Sequence, residues 1–94
     1  MSYYYKGSTI RIKNNIVDYD GSPFAPTSHT VEIFDCKGVL KQTFNDPFEV
    51  EPGIYFVDYT IPSNGKSGKW KIVWSAYAGD RSSVGVLEFE VRSP

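Results

Sequence analysis

Ninety-four residues suffice for one hydrophobic core and not for two, so a single domain spanning 1–94 is predicted. The chain is 40% hydrophobic and 22% charged, with seven Tyr, six Phe and two Trp, an aromatic enrichment that suits half-buried pleated surfaces. A formal net charge of −1 gives no overall pull toward nucleic acid or anionic lipid; no stretch nears the ~18–20 apolar residues of a membrane span.

In chain order, short runs rich in β-formers recur between Gly, Pro, Asn and Asp, the spacing of a sandwich or barrel. The opening run from Met1 to Gly7 lacks the basic-then-apolar order of a signal peptide, which predicts a cytoplasmically made product or a module of something larger. Within it, Tyr3 to Lys6 reads as a short strand or as irregular chain. Ser8 to Val17 follows, with Ile10 and Ile12 on one face and Thr9, Arg11 and Lys13 on the other. Asp18-Tyr19-Asp20-Gly21-Ser22-Pro23 ends it with turn-forming residues, and Phe24 to Thr27 extends the loop. In Thr30 to Asp35, Val31 and Ile33 share a face opposite Glu32 and Phe34. The turn Asp35-Cys36-Lys37-Gly38 is short enough to join that strand to Val39–Phe44 as a hairpin.

Asn45-Asp46-Pro47 and Glu51-Pro52-Gly53 separate that hairpin from Ile54 to Ile61, where Tyr55, Val57 and Tyr59 share a face. Pro62 to Gly68 reads as a loop. Lys69 to Tyr77 is the clearest strand, with Trp70, Ile72, Trp74 and Ala76 opposite Lys71, Val73, Ser75 and Tyr77. Ala78-Gly79-Asp80-Arg81 turns the chain into Ser83–Arg92, where Leu87, Phe89 and Val91 alternate with Glu88, Glu90 and Arg92. Alternation at period two marks strands; no run holds a 3.6-residue apolar period, so helix is expected to be nearly absent. Roughly seven strands are predicted, or six if the tyrosine run is irregular.

The order of the punctuation carries a resemblance. Val17-Asp18-Tyr19-Asp20-Gly21-Ser22-Pro23 is followed by Val31-Glu32-Ile33-Phe34-Asp35-Cys36-Lys37-Gly38. Then come Pro52-Gly53-Ile54-Tyr55-Phe56-Val57-Asp58-Tyr59-Thr60-Ile61-Pro62, Gly68-Lys69-Trp70 and a closing Glu88-Phe89-Glu90-Val91. This resembles the immunoglobulin-like β-sandwich modules of bacterial, archaeal and phage surface and structural proteins, including macroglobulin-type domains. The resemblance spans nearly the whole chain and implies an all-β, immunoglobulin-like (fibronectin type III-like) sandwich of two antiparallel sheets. It supplies no catalytic residues, and one scaffold of this kind hosts many roles.

Site chemistry finds little material. A Ser-His-acid triad would need His29, but no Gly-x-Ser-x-Gly accompanies it, and a surface histidine is expected. One cysteine, Cys36, excludes an intrachain disulfide and is expected as a free thiol at a turn, with an intermolecular disulfide as the alternative. His29 with Cys36 falls short of a closed zinc site. Asp18 and Asp20 offer calcium-type oxygen ligands without the helix–loop–helix continuation, so they are expected to hold the turn's backbone donors. Glu88 and Glu90 fit a solvated strand face better than a glycosidase cleft. Trp70 and Trp74 share a face with Ile72 and Ala76, which is core spacing rather than a sugar platform. Lys66, Lys69 and Lys71 lack interleaved aromatics, so no nucleic-acid site is expected. No catalytic, cofactor-binding or metal residue is assigned, and no enzyme activity is expected.

The informative signal is apolar side chains where polar ones are expected. With the third, fourth, sixth and seventh strands in one sheet, its outer face carries Phe34, Val73, Tyr77 and Val86, ringed by Glu32, Lys71, Ser75 and Glu88. An apolar patch with a polar rim has the composition of a protein contact surface; scattered surface hydrophobes are the alternative. Phe56 is expected outward and alone on the other sheet. The run Tyr3-Tyr4-Tyr5 either adds a strand to a neighbour's edge or covers its own core. The expected function is a non-catalytic structural or interaction module of a phage virion or cell-surface assembly, binding a protein partner or itself. A carbohydrate-binding module using Tyr19, Phe24 and Tyr77 is the alternative.

Overall fold

Period-two alternation becomes eight strands and no helix among the described residues, which in this computed structural model are 3–16 and 26–94. The strands are β1 (Tyr3–Tyr5), β2 (Thr9–Asn15), β3 (Ser28–Phe34), β4 (Leu40–Phe44), β5 (Phe48–Glu51), β6 (Ile54–Thr60), β7 (Gly68–Ala78) and β8 (Arg81–Arg92). They form a five-stranded sheet ordered β1-β8-β7-β3-β4 and a three-stranded sheet ordered β2-β6-β5. All pairings are antiparallel except β1 with β8. The four strands expected to share a sheet do so, as β3, β4, β7 and β8 once β5 is counted, with β1 added at the side of β8.

Each long strand turns its branched and aromatic residues inward. Ile10 and Ile12 of β2, Tyr55, Val57 and Tyr59 of β6, and Val31 and Ile33 of β3 are buried. So are Trp70, Ile72, Trp74 and Ala76 of β7, and Phe89 and Val91 of β8. Trp70 is the centre of an aromatic group, 6.5 Å from the Tyr59 ring and 6.0 Å from Phe89. The β3–β4 hairpin is locked by Asp35, which is buried and whose Oδ1 accepts the N–H groups of Lys37 (2.8 Å) and Val39 (3.0 Å). The Val39 bond foremost, with that of Lys37, holds the Asp35 carboxyl below the usual carboxylate range against the opposing effect of burial. In the β7–β8 hairpin the two-residue turn starts at Gly79 with φ 65°, the left-handed conformation that tight hairpins require and glycine supplies.

Three expectations need correction. Strand β5 is absent from the sequence reading because its residues Phe48-Glu49-Val50-Glu51 are all exposed, so no buried face imposes a pattern on them. Its presence changes Phe56, which is not alone: the Phe48 ring stacks on it at 5.3 Å and the Arg11 guanidinium lies 4.0 Å from its centroid. Arg11 also makes a two-bond ion pair with Asp58 at 2.8 and 3.0 Å. Leu87, expected within the core, is on the inner face but 37% exposed, because the three-stranded sheet stops at β2 and leaves the flank of β8 uncovered. That flank is a groove of about 170 Å³ floored by Tyr4, Ile10, Ile12, Ile72, Leu87 and Phe89.

Candidate contact surface

The register of β4, β3, β7 and β8 places the outward side chains in cross-strand rows. Leu40, Phe34, Lys71 and Glu88 form one row, and Thr43, Glu32, Val73 and Val86 the next. Thr30, Ser75 and Val84 make a third, and Ser28, Tyr77 and Ser82 a fourth. Val73 and Val86 are therefore direct neighbours, and Val84 is one row away. Val84 is 62% and Val86 59% exposed, while Val73, on a central strand, is half-buried between Glu32 and Val86. Phe34 is half-buried with the Lys71 ammonium 5.4 Å from its ring centroid. Tyr77 is 44% exposed and stands apart between two serines.

Sequence reasoning missed two members of this face. Val84 alternates in phase with Val86, so the pattern that placed Val86 outward also placed Val84. Leu40 reaches the face through a bulge that shifts register between Ile33 and Phe34, which leaves no mark in the sequence.

The tyrosine run divides by parity. Tyr3, Tyr4 and Tyr5 pair with Glu90, Val91 and Arg92; Tyr4 points inward, 6.0 Å from Phe89. Tyr3 and Tyr5 point outward and are exposed, with the Arg92 guanidinium 3.9 Å from the Tyr3 centroid. Arg92 also ion-pairs with Glu90, which leaves Glu90 engaged in a surface pair.

His29 is not the surface histidine expected. It sits half-buried on β3 with its ring 4.5 Å from that of Tyr55, and its buried Nδ1 has no hydrogen-bond partner among the described residues. Burial lowers its pKa below the ordinary value, against the pull of Asp46 and Glu49. A folded-state pKa below the unfolded one means that the unfolded chain binds the proton more tightly. Stability is therefore full above about pH 6.5 and falls as the pH drops below that value. Thermal melts at pH 7.5 and 5.5 are expected to show a lower midpoint at pH 5.5, with the difference reduced in His29→Gln. Equal midpoints in the wild type would contradict the burial argument.

Cys36 is engaged as well: half-buried, its Sγ lies 3.3 Å from the Ser67 carbonyl and its Cβ lies against Gly68. Asp18, Asp20, Tyr19 and Phe24 lie outside the described residues. Among the described residues no group of three His, Cys, Asp or Glu side chains converges, and no helix is long and apolar enough to cross a membrane.

With this geometry in hand, solved structures give a direct comparison. The fold superimposes on part of a Salmonella alpha-2-macroglobulin variant with a TM-score of 0.80 at 22% identity, over 99% of this chain and 6% of that one. Trypsin-activated alpha-2-macroglobulin from Escherichia coli matches with a TM-score of 0.78 at 21% identity, over 97% of this chain and 6% of that one. The chain has an immunoglobulin-like sandwich fold found within alpha-2-macroglobulins. It spans only about 6% of the length of these two proteins, so the likeness is to a small part of each. No protein-family model and no curated protein matches the chain.

Proposed function

We propose that this domain is a non-catalytic contact module that works through the outer face of its five-stranded sheet, within a virion or cell-surface assembly. The observation that carries the reading is the contiguous Val73–Val86–Val84 patch with Glu32, Lys71, Ser75 and Glu88 around it. Exposed aliphatic side chains on a sheet face gain about 25 cal/mol for each Å² they remove from water, and the charged rim gives register to whatever covers them. Against an active site stands the placement of His29, the sole imidazole, which faces Tyr55 in the sandwich rather than the outer face. A carbohydrate partner draws less support, because among the described residues, which leave out Tyr19 and Phe24, the Tyr77 ring sits between two serines where stacking on a sugar needs a platform.

Solution mass measured against concentration, for wild type and Val73→Lys, tests the reading. A self-associated species that Val73→Lys weakens is expected, since an ammonium there would have to leave water in any face-to-face contact. An associated species unchanged by Val73→Lys would remove the face as the contact surface.

A further inference from the structure

Strand β8 is longer than its neighbour on the outer side. It pairs with β7 from Arg81 to Val91, whereas β1 covers only Glu90–Arg92 on the other edge. Among the described residues no strand lies against the outer edge of β8 from Ser82 to Glu88. The phase of its backbone follows from one bond: the Arg92 carbonyl accepts the Lys6 N–H at 3.1 Å on the β1 side. Backbone groups alternate sides along a strand, so Ser82, Val84, Val86 and Glu88 present their N–H and C=O groups to the open edge. The odd-numbered residues between them bond to β7.

An unpaired edge is a template for another strand, and proteins usually blunt it. The other edges here are short or blunted, β1 by having only three residues. Strand β4 carries Lys41 and a bulge; β5 is four residues with a bulge, between Pro47 and Pro52; β2 carries Arg11 and Lys13. The sequence Ser82-Ser83-Val84-Gly85-Val86-Leu87-Glu88 has no proline, lysine or bulge.

We propose that a second copy of this chain occupies that edge, with β8 antiparallel to β8 and Gly85 facing Gly85 of the second copy. The inference rests on the reading of the domain as a contact module, but on the sheet edge rather than its face. This register sets Val84 opposite Val86 of the second copy and Ser82 opposite Glu88. Every residue that presents backbone groups to the edge then meets one that does the same, so all of these donors and acceptors are satisfied in a two-fold ladder. Centring the pair on Val86 instead would drive Ser82 against Glu90, which β1 already occupies, and centring it on Glu88 would oppose two carboxylates. The two-fold about Gly85 also ends each copy's strand at the Gly79–Asp80 turn, where β1 of the other begins. The two five-stranded sheets become one continuous sheet, with the exposed valines of both copies side by side.

Sedimentation of the full chain across concentration is expected to show a species of twice the 10.6 kDa monomer mass. Val86→Pro is the edge variant: the Val86 N–H points to the open edge and not to β7, so proline is tolerated in the monomer but removes a donor from the ladder. Because it also takes one valine from the outer face, it is read against Val73→Lys, which alters the face and leaves the edge intact. It is expected to keep the wild-type circular dichroism and remain monomeric. Gly85→Cys in a Cys36→Ser background is expected to cross-link on mild oxidation. Facing residues of a non-hydrogen-bonded antiparallel pair lie about 4.5 Å apart at Cα, within disulfide reach, and a Cβ at Gly85 meets nothing within 4 Å. A wild type that stays monomeric, a dimer unaffected by Val86→Pro, or a Gly85→Cys chain that does not cross-link would overturn the proposal. A dimer dissolved by Val73→Lys and kept by Val86→Pro would sink the edge pairing while leaving the outer-face reading standing; the opposite pattern would do the reverse.

Discussion

Replacing Trp70 by alanine is expected to cost about 3–5 kcal/mol of stability, the range for a large aromatic deleted from a sealed core. Trp70 is 0% exposed and joins both sheets, touching Tyr59 of β6 and Phe89 of β8. Its Nε1 donates to the Lys66 carbonyl at 2.9 Å, which ties the loop before β7 to the core. The ring also lies so close to Gly65 that a Cβ there would approach it to 3.3 Å, so its removal takes away the surface on which the loop packs. Small domains have total stabilities of roughly 5–15 kcal/mol, with short chains toward the lower end, so Trp70→Ala should leave a largely unfolded chain. Trp70→Phe should lose less, keeping most of the buried ring and forfeiting a hydrogen bond of about 1 kcal/mol. Urea unfolding monitored by circular dichroism checks both. A loss under 1 kcal/mol for Trp70→Ala would contradict the placement of this residue as the keystone of the core.

The second large effect is expected at Gly68, the first residue of β7. Its φ of 139° lies where side chains are strained, and a Cβ built there would sit 2.8 Å from the Cβ of Cys36 and 3.2 Å from its Sγ. The Sγ can turn away about χ1, but the Cβ is fixed by its backbone and cannot. Gly68→Ala combines backbone strain of about 1–3 kcal/mol with overpacking of similar size. The two parts separate: Cys36→Gly in the Gly68→Ala background removes the clash and leaves the strain, so part of the loss should return. Cys36→Ser keeps the Cβ and should rescue nothing. Equal stabilities for Gly68→Ala with and without Cys36→Gly would show that the contact is not the cause.

The same residues show what a sequence discloses. Strands β3, β6, β7 and β8 were legible because each buries one face, and burial at period two leaves alternation behind. Tyr4 followed the same rule in a three-residue strand, yet nothing local said whether the run faced its own core; the parallel pairing with β8 decides it. Strand β5 was illegible because both its faces are exposed. Leu87 was misjudged because alternation gives the side of a strand a residue faces, and the extent of the opposite sheet decides whether that side is covered. His29 was misjudged because the strand was started at Thr30, which hid that it is in phase with Val31 and Ile33. For the contact surface, Phe34, Val73, Tyr77 and Val86 were placed on the outer face by parity alone. Leu40 depended on a bulge, and the open edge of β8 on the shortness of β1; both are properties of pairing between distant segments.

The most direct test of the account is sedimentation equilibrium of the wild-type chain alongside Val86→Pro and Val73→Lys, over a range of concentrations. A dimer that forms in the wild type and is lost in Val86→Pro, without loss of β-structure, is the predicted result. A wild type that sediments as a 10.6 kDa monomer at every concentration would contradict self-association through this sheet, by its edge and by its face alike.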